Sequence, residues 1–381
     1  MTKLADVATI VDCEHKTAPI SEHGSYFAVG TPAMRGNVID FSEARPIDRD
    51  TFDAWTRRLR PNAGDVLFAR EAPVGPAVRI PQSENVAPGQ RTVLIRADPA
   101  RVDSRYLYYK VVSPQFQAAV EAVSAGSTVP HLNVADVRSM DLGELPMMAE
   151  QVAIGEILGA LDDKVALNRR IIEASVSLAM QIVGREAVGP SLPLSDIAEI
   201  QMGSSPRGAD LNEDGEGMEF YQGVRDFGEL SPTPRVFAAV TPRRAMASDT
   251  LLAVRAPVGE VNWVRNETCI GRGLAAVRSA GAPTTVHYLL RRFTNRWDEH
   301  EGSGTVFSSV TGPQVKEMRF PTIPEASAGE VERRLASVHH RALSAEAESE
   351  VFSRTRDELL PLLMNGRITV KDAEQAAEAV L

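Results

Sequence analysis

The chain has 381 residues, 43% hydrophobic and 24% charged, a balance that suits two or three folded domains and excludes a disordered chain. Two cysteines, Cys13 and Cys269, are too few for a disulfide framework, no apolar run approaches the ~20 residues of a membrane span, and the opening MTKLADVATIVDCEHK has no secretory stretch, so a cytoplasmic protein is expected. The formal net charge of −10 argues against simple non-specific nucleic-acid binding; the cations are nearly all arginine, which suits guanine edges but which a GC-rich genome would also favour.

In chain order, the first motif is Leu4-Ala-Asp-Val-Ala-Thr-Ile10. Asp65–Ala69 and Arg91–Arg96 read as strands, Pro73 and Gly75 mark a turn, and Tyr106–Val123 has helical spacing. Residues 149–186 contain no Pro and read as one long helix. The pattern then restarts. Leu194-Ser-Asp-Ile-Ala-Glu-Ile200 repeats the opening, and GDVLFAREAPVG (64–75) returns as SDTLLAVRAPVG (248–259), pairing Asp65 with Asp249. Tyr106-Leu107 returns as Tyr288-Leu289. Gly126-Ser127, Leu132, Val137, Met140 and Pro146 return as Gly304-Thr305, Val310, Val315, Met318 and Pro324. A period of roughly 180 residues is too long for a solenoid and indicates a duplicated domain.

Each copy closes in a long helix with a heptad stripe. In the first, Ile154, Leu161, Asn168, Ser175 and Ile182 lie beside Leu158, Val165, Ile172 and Ala179. In the second, Val331, Val338, Ala345, Phe352 and Leu359 lie beside Leu335, Ala342, Ser349, Arg356 and Leu363. Asn168 either sits buried in the seam, setting register, or faces water on a rolled helix. Asn365-Gly366 is a stop signal. The chain therefore divides into a domain over 1–147, a helix over 148–188, a domain over 189–325 and a helix over 326–370. The Ala/Glu-rich tail 371–381 is expected to fray.

Catalytic signatures are missing from this pattern. There is no GxxxxGK[ST] loop and no C-x-x-C pair, and Gly271-Arg-Gly273 is a lone G-x-G. Cys13, His15 and His23 lack a fourth metal ligand and usable spacing. Ser303 and Ser308-Ser309 have no His/Asp partners in view. His339-His340 reads as a helix face rather than a proton shuttle. Glu14-His-Lys16 resembles half of a nuclease site, with Asp6 or Asp12 a poorly spaced partner. A stand-alone Mg-dependent nuclease is thus one alternative, and a protein-only coiled-coil adaptor is another.

Gly64-Asp-Val-Leu-Phe-Ala-Arg70, its weaker echo Asp249–Arg255, Gly126-Ser-Thr-Val-Pro-His-Leu-Asn133, Glu150-Gln151 through Leu161-Asp-Asp-Lys164 and Asn168, and Leu362–Val370 occur in one order. In that order they resemble the specificity (S) subunits of Type I restriction–modification systems. The second helix lacks the Leu-Asp-Asp-Lys segment, and Gly304-Thr-Val-Phe stands for Gly126-Ser-Thr-Val. The resemblance implies an α+β fold: two pseudo-symmetric mixed α/β target-recognition domains separated by two long antiparallel coiled-coil helices. It implies a non-catalytic phage-defence subunit that reads a bipartite double-stranded DNA target with an unread gap. It also implies docking of two methyltransferase subunits and motor/nuclease subunits. No cofactor is expected on this chain; S-adenosylmethionine, ATP and Mg belong to the partners, and no metal site is expected here. Within such domains the residues suited to reading DNA are Lys16, Arg35, Arg70, Arg91, His131 and Asn133 in the first copy. In the second they are Arg207, Arg225, Arg255 and Arg272.

Overall fold

The computed structural model describes residues 1–81, 85–124, 130–300 and 309–381. The Gly126-Ser-Thr and Gly304-Thr-Val-Phe motifs, Ser303 and Ser308 lie outside the described residues. By packing, the chain divides into two compact units, one of Met1–Val165 with Glu350–Leu381 and one of Ala166–Ser349.

The first unit is built on an antiparallel sheet in the order Ala8–Asp12, Thr92–Ala97, Val66–Arg70, Val74–Arg79. Strand Val66–Arg70 is buried along its whole length, and its two-residue period divides it between two cores. Val66 and Phe68 join Val93, Ile95 and the helix residues Tyr106, Leu107 and Phe116. Leu67 and Ala69 face the other way, with Leu94, Val29 and Val86. That second core is closed by a small sheet of Arg45–Ile47, Tyr26–Val29 and Val86–Pro88, the last two parallel.

The second unit repeats the plan. Its sheet runs Glu199–Met202, Leu274–Arg278, Thr250–Ala253, Val261–Trp263. Leu252, Ala275 and Val277 face one core, while Leu251, Ala253, Leu274 and Ala276 face another. The smaller sheet is enlarged to five strands but keeps the parallel pair, here Met218–Tyr221 with Thr268–Ile270. Both Ala72–Pro73 and Ala256–Pro257 are cis. The repeat therefore holds in topology as well as in sequence.

The repeated aspartate has a structural task. Asp65 accepts from Arg96 Nε at 3.0 and 3.2 Å and from Arg96 Nη2 at 2.7 Å, and from the backbone N–H of Asn62 at 2.8 Å. Asp249 accepts from Arg278 at 2.8 and 2.7 Å and from the N–H of Met246 at 2.7 Å. In both units a buried carboxylate closes the turn before the central strand and ties it to the neighbouring strand.

The long helices are Met148–Glu186 and Glu325–Met364. In the first unit Ile154, Leu158 and Leu161 share a core with Phe352, Leu359 and Leu363. Arg356, on the seam, donates to Asp162 at 2.5 Å, and the Tyr109 hydroxyl donates to the same carboxylate at 2.5 Å. Burial, reinforced by Asp162, pushes the Tyr109 hydroxyl far above the ordinary phenol range. In the second unit Ile172 meets Ala342 and Ala345, and Ala179, Ile182 and Val183 meet Val331 and Leu335. Residue numbers rise on one helix as they fall on the other, so the pairing in this unit is antiparallel. Asn168 is 3% exposed, so the buried alternative is the one realised.

Four expectations need adjusting. The single helix over Tyr106–Val123 is two, Ser104–Val112 and Pro114–Ser124, because Pro114 holds Ser113 in an extended conformation. The second strand begins at Thr92, because Arg91 has φ +70°. Gly75 lies inside strand Val74–Arg79 instead of in the turn. The tail does not fray: Val370–Glu378 is a helix started by a Thr369/Asp372 capping box. Its small face, Ala373 and Ala377, is buried in the core of the first unit.

His339 is 2% exposed and packs edge-on to Trp263 with 4.3 Å between ring centroids. The Tyr288 hydroxyl meets its Nδ1 at 3.0 Å, and Thr250 Oγ1 meets His287 Nδ1 at 3.2 Å. Burial pulls both imidazoles below the ordinary histidine range, His339 to about 4. No helix among the described residues is long and apolar enough to cross a membrane.

Candidate nucleic-acid interface

In the first unit, one end of the main sheet gathers several of the expected residues. The Cys13 N–H donates to Thr92 O, the Arg70 N–H to Arg91 O, and the Leu132 N–H to Arg70 O, while Glu71 bridges to His131. Arg70, Arg91 and His131 are therefore neighbours, and Lys16 joins them. It stands between His15, whose Nδ1 accepts from Arg70 at 3.3 Å, and Thr17, whose hydroxyl donates to Gln90 Oε1 at 3.1 Å.

Their chemistry differs. Arg70 is only 8% exposed and is used within the fold: it donates to Leu132 O and lies 3.4 Å from Asp12, which also holds His15 at 2.9 Å. Arg91 is exposed and paired with Glu71 at 3.4 Å. Asn133 is the N-cap of helix Val134–Ser139, its backbone N–H donating to Asp136 Oδ2 at 2.8 Å, and its side chain is exposed. Arg35 stands apart on the hairpin of Met34–Arg35 and Val38–Ile39, whose turn residues Gly36 and Asn37 both have positive φ. Lys16 and Arg35 are exposed, and among the described residues neither pairs with a carboxylate. Glu14 is held by Arg57 at 2.8 Å. Burial raises the Cys13 thiol, which makes it a poor metal ligand. Among the described residues, no group of three or more His, Cys, Asp or Glu side chains could hold a metal.

The equivalent sheet end of the second unit is more open. Arg207, Arg225, Arg255 and Arg272 are all exposed, and among the described residues none pairs with a carboxylate. Arg225 and Arg255 line one cleft with Phe220, Gln222 and Arg235. Arg235 is spent on Asp226. Arg272 adjoins the cleft, its N–H donating to Ser205 Oγ at 3.2 Å, and Arg207 follows two residues after that serine. Backbone bonds bear out the repeat alignment of 64–75 with 248–259. The Val254 N–H donates to Gly273 O as the Arg70 N–H does to Arg91 O, so Arg70 corresponds to Val254 and Arg255 to Glu71.

Two exposed amides escaped the sequence reading. Gln90 is held by Thr17, and Gln222 accepts from Ser205 Oγ at 2.8 Å. Neither spacing nor residue type marked them, because each partner lies far away along the chain.

Residues 3–174 match the model of the Type I restriction modification DNA specificity domain. A type I restriction enzyme specificity subunit of Methanocaldococcus jannaschii, MjaX, is 26% identical over 342 residues, covering 81% of this chain and 79% of the relative. The crystal structure of a Type I restriction–modification S subunit from M. genitalium superposes over 95% of both chains, with a TM-score of 0.63 and 14% identity, a likeness of fold. Over residues 3–174 the chain is thus similar to the Type I restriction modification DNA specificity domain, over most of its length to a type I specificity subunit, and in fold to a solved S subunit.

Proposed function

We propose that this chain is the non-catalytic DNA-reading subunit of a Type I restriction–modification complex. Each unit reads one half of a bipartite target, and the base pairs between the halves are unread. The observation that carries this reading is the duplication: two independently cored domains present the same sheet end, each bordered by cations. Two related domains suit two DNA half-sites. The long helices offer methyltransferase subunits a surface, with motor/nuclease subunits completing the assembly in the cytoplasm. S-adenosylmethionine, ATP and Mg belong to those partners. A net charge of −10 fits a chain that shares the phosphate clamp with them.

The nuclease alternative finds little support, since Glu14 and Asp12 are engaged by Arg57, His15 and Arg70. The test is to replace residues 1–147 by the equivalent domain of a relative, assemble the complex, and map methylated sites. One half of the target should change. A change in both halves refutes the two-module reading.

A further inference from the structure

At each sheet end one exposed glutamine is fixed in the same way. In the first unit the Thr17 hydroxyl, on the loop after the first strand, reaches Gln90 Oε1 at 3.1 Å. In the second unit the Ser205 hydroxyl, on the corresponding loop, reaches Gln222 Oε1 at 2.8 Å. The two glutamines do not occupy equivalent positions. The Gly89 N–H donates to Val29 O as the Gly271 N–H does to Tyr221 O, which aligns Gln90 with Arg272 and Gly30 with Gln222. The same pairing is thus made from opposite sides of the parallel strand pair.

In the second unit glycine clears the space for the amide. A Cβ on Gly271 would stand 2.4 Å from Gln222 Oε1. The Gln222 backbone is held as well, its N–H donating to Asp226 Oδ2 at 3.0 Å. An exposed glutamine ordinarily keeps its rotamer freedom, and a surface hydroxyl–amide bond adds little stability. Fixing it is useful when a partner must meet a preset donor–acceptor pair.

We infer that Gln90 and Gln222 are the base-edge readers of the two domains, each accepting an adenine in the major groove. The carboxamide offers Nε2–H to adenine N7 and Oε1 to the adenine amino group, the bidentate pairing of glutamine. The hydroxyl leaves Oε1 a second lone pair and leaves Nε2 undirected toward the protein. Arg225, Arg255 and Arg272 around Gln222 then supply phosphate or guanine contacts beside it. This assignment rests on the proposed DNA-reading function and adds to it one residue and one base per half-site.

The test uses the complex assembled with its methyltransferase partner, with the wild-type target mapped first by methylation sequencing. Gln90→Glu and Gln222→Glu are nearly isosteric and turn the amide into an acceptor alone, which suits the cytosine amino group. Each variant should lower use of adenine at one position of one half-site by on the order of tenfold, with cytosine gaining, and leave the other half-site unchanged. Thr17→Val and Ser205→Ala should weaken preference at those same positions without moving it to another base. A specific wild-type complex whose target is unchanged in both glutamate variants, at unaltered thermal stability, overturns the inference. A wild-type complex with no sequence preference overturns the DNA-reading function itself.

Discussion

Acid should loosen the second unit through His339. This imidazole is 2% exposed, bonded to the Tyr288 hydroxyl, packed on Trp263 and faced by Arg291, His340 and His287. Its folded value of about 4 lies below the 6.5 of a free histidine, so the unfolded chain binds the extra proton. The stability it supports is complete above pH ~6.5 and is lost as pH falls toward ~4. The full difference corresponds to about 3 kcal/mol, of which about 2 kcal/mol is lost by pH 5. His287, lowered in the same direction, adds to the loss. Trp263 and Trp297 lie in the second unit and Trp55 in the first, so urea unfolding followed by tryptophan fluorescence in a Trp55→Phe background reports on the second unit. Between pH 7.5 and pH 5 the midpoint should fall by roughly 1 M. In His339→Phe most of that pH dependence should vanish, at some cost to stability at pH 7.5. An equal pH dependence in variant and wild type would refute the reasoning.

Asp65→Ala and Asp249→Ala should each destabilise their own unit by about 3 kcal/mol, since each leaves an arginine and a backbone N–H without their buried carboxylate; urea titration of each variant checks this. Ending the chain after Arg367 removes the helix that buries Ala373 and Ala377, and should cost the first unit about 2 kcal/mol while the second is unaffected, as read by hydrogen exchange. The combined change of Arg225, Arg255 and Arg272 to Ala should reduce the salt dependence of DNA binding by the assembled complex by roughly two to three counterions, measured as the slope of log affinity against log salt. An unchanged slope would show that these arginines do not meet phosphate.

Periodicity and repetition are local in sequence, and they showed well. The heptad stripes named residues that are buried or half-buried in the long helices, Asn168 included, because a helical stripe follows from spacing alone. The repeated Asp65/Asp249 marked corresponding strands because the same turn needs the same carboxylate. The tail was misjudged because its alanines gain a buried face only from a core supplied elsewhere in the chain.

The candidate interface was less legible. Sequence reasoning could name arginines, but pairing decides which are available. Arg70 is spent on Asp12 and Leu132 O, whereas Arg225 and Arg255 stand open at a cleft. The sequence by itself determined the family resemblance, the duplication and the helical seams, since these depend on residue order and short periods. Only the tertiary structure decided which cations meet carboxylates and which amides meet hydroxyls. Those partners lie 73 residues apart from Thr17 to Gln90 and 17 apart from Ser205 to Gln222, and are brought together by strand register.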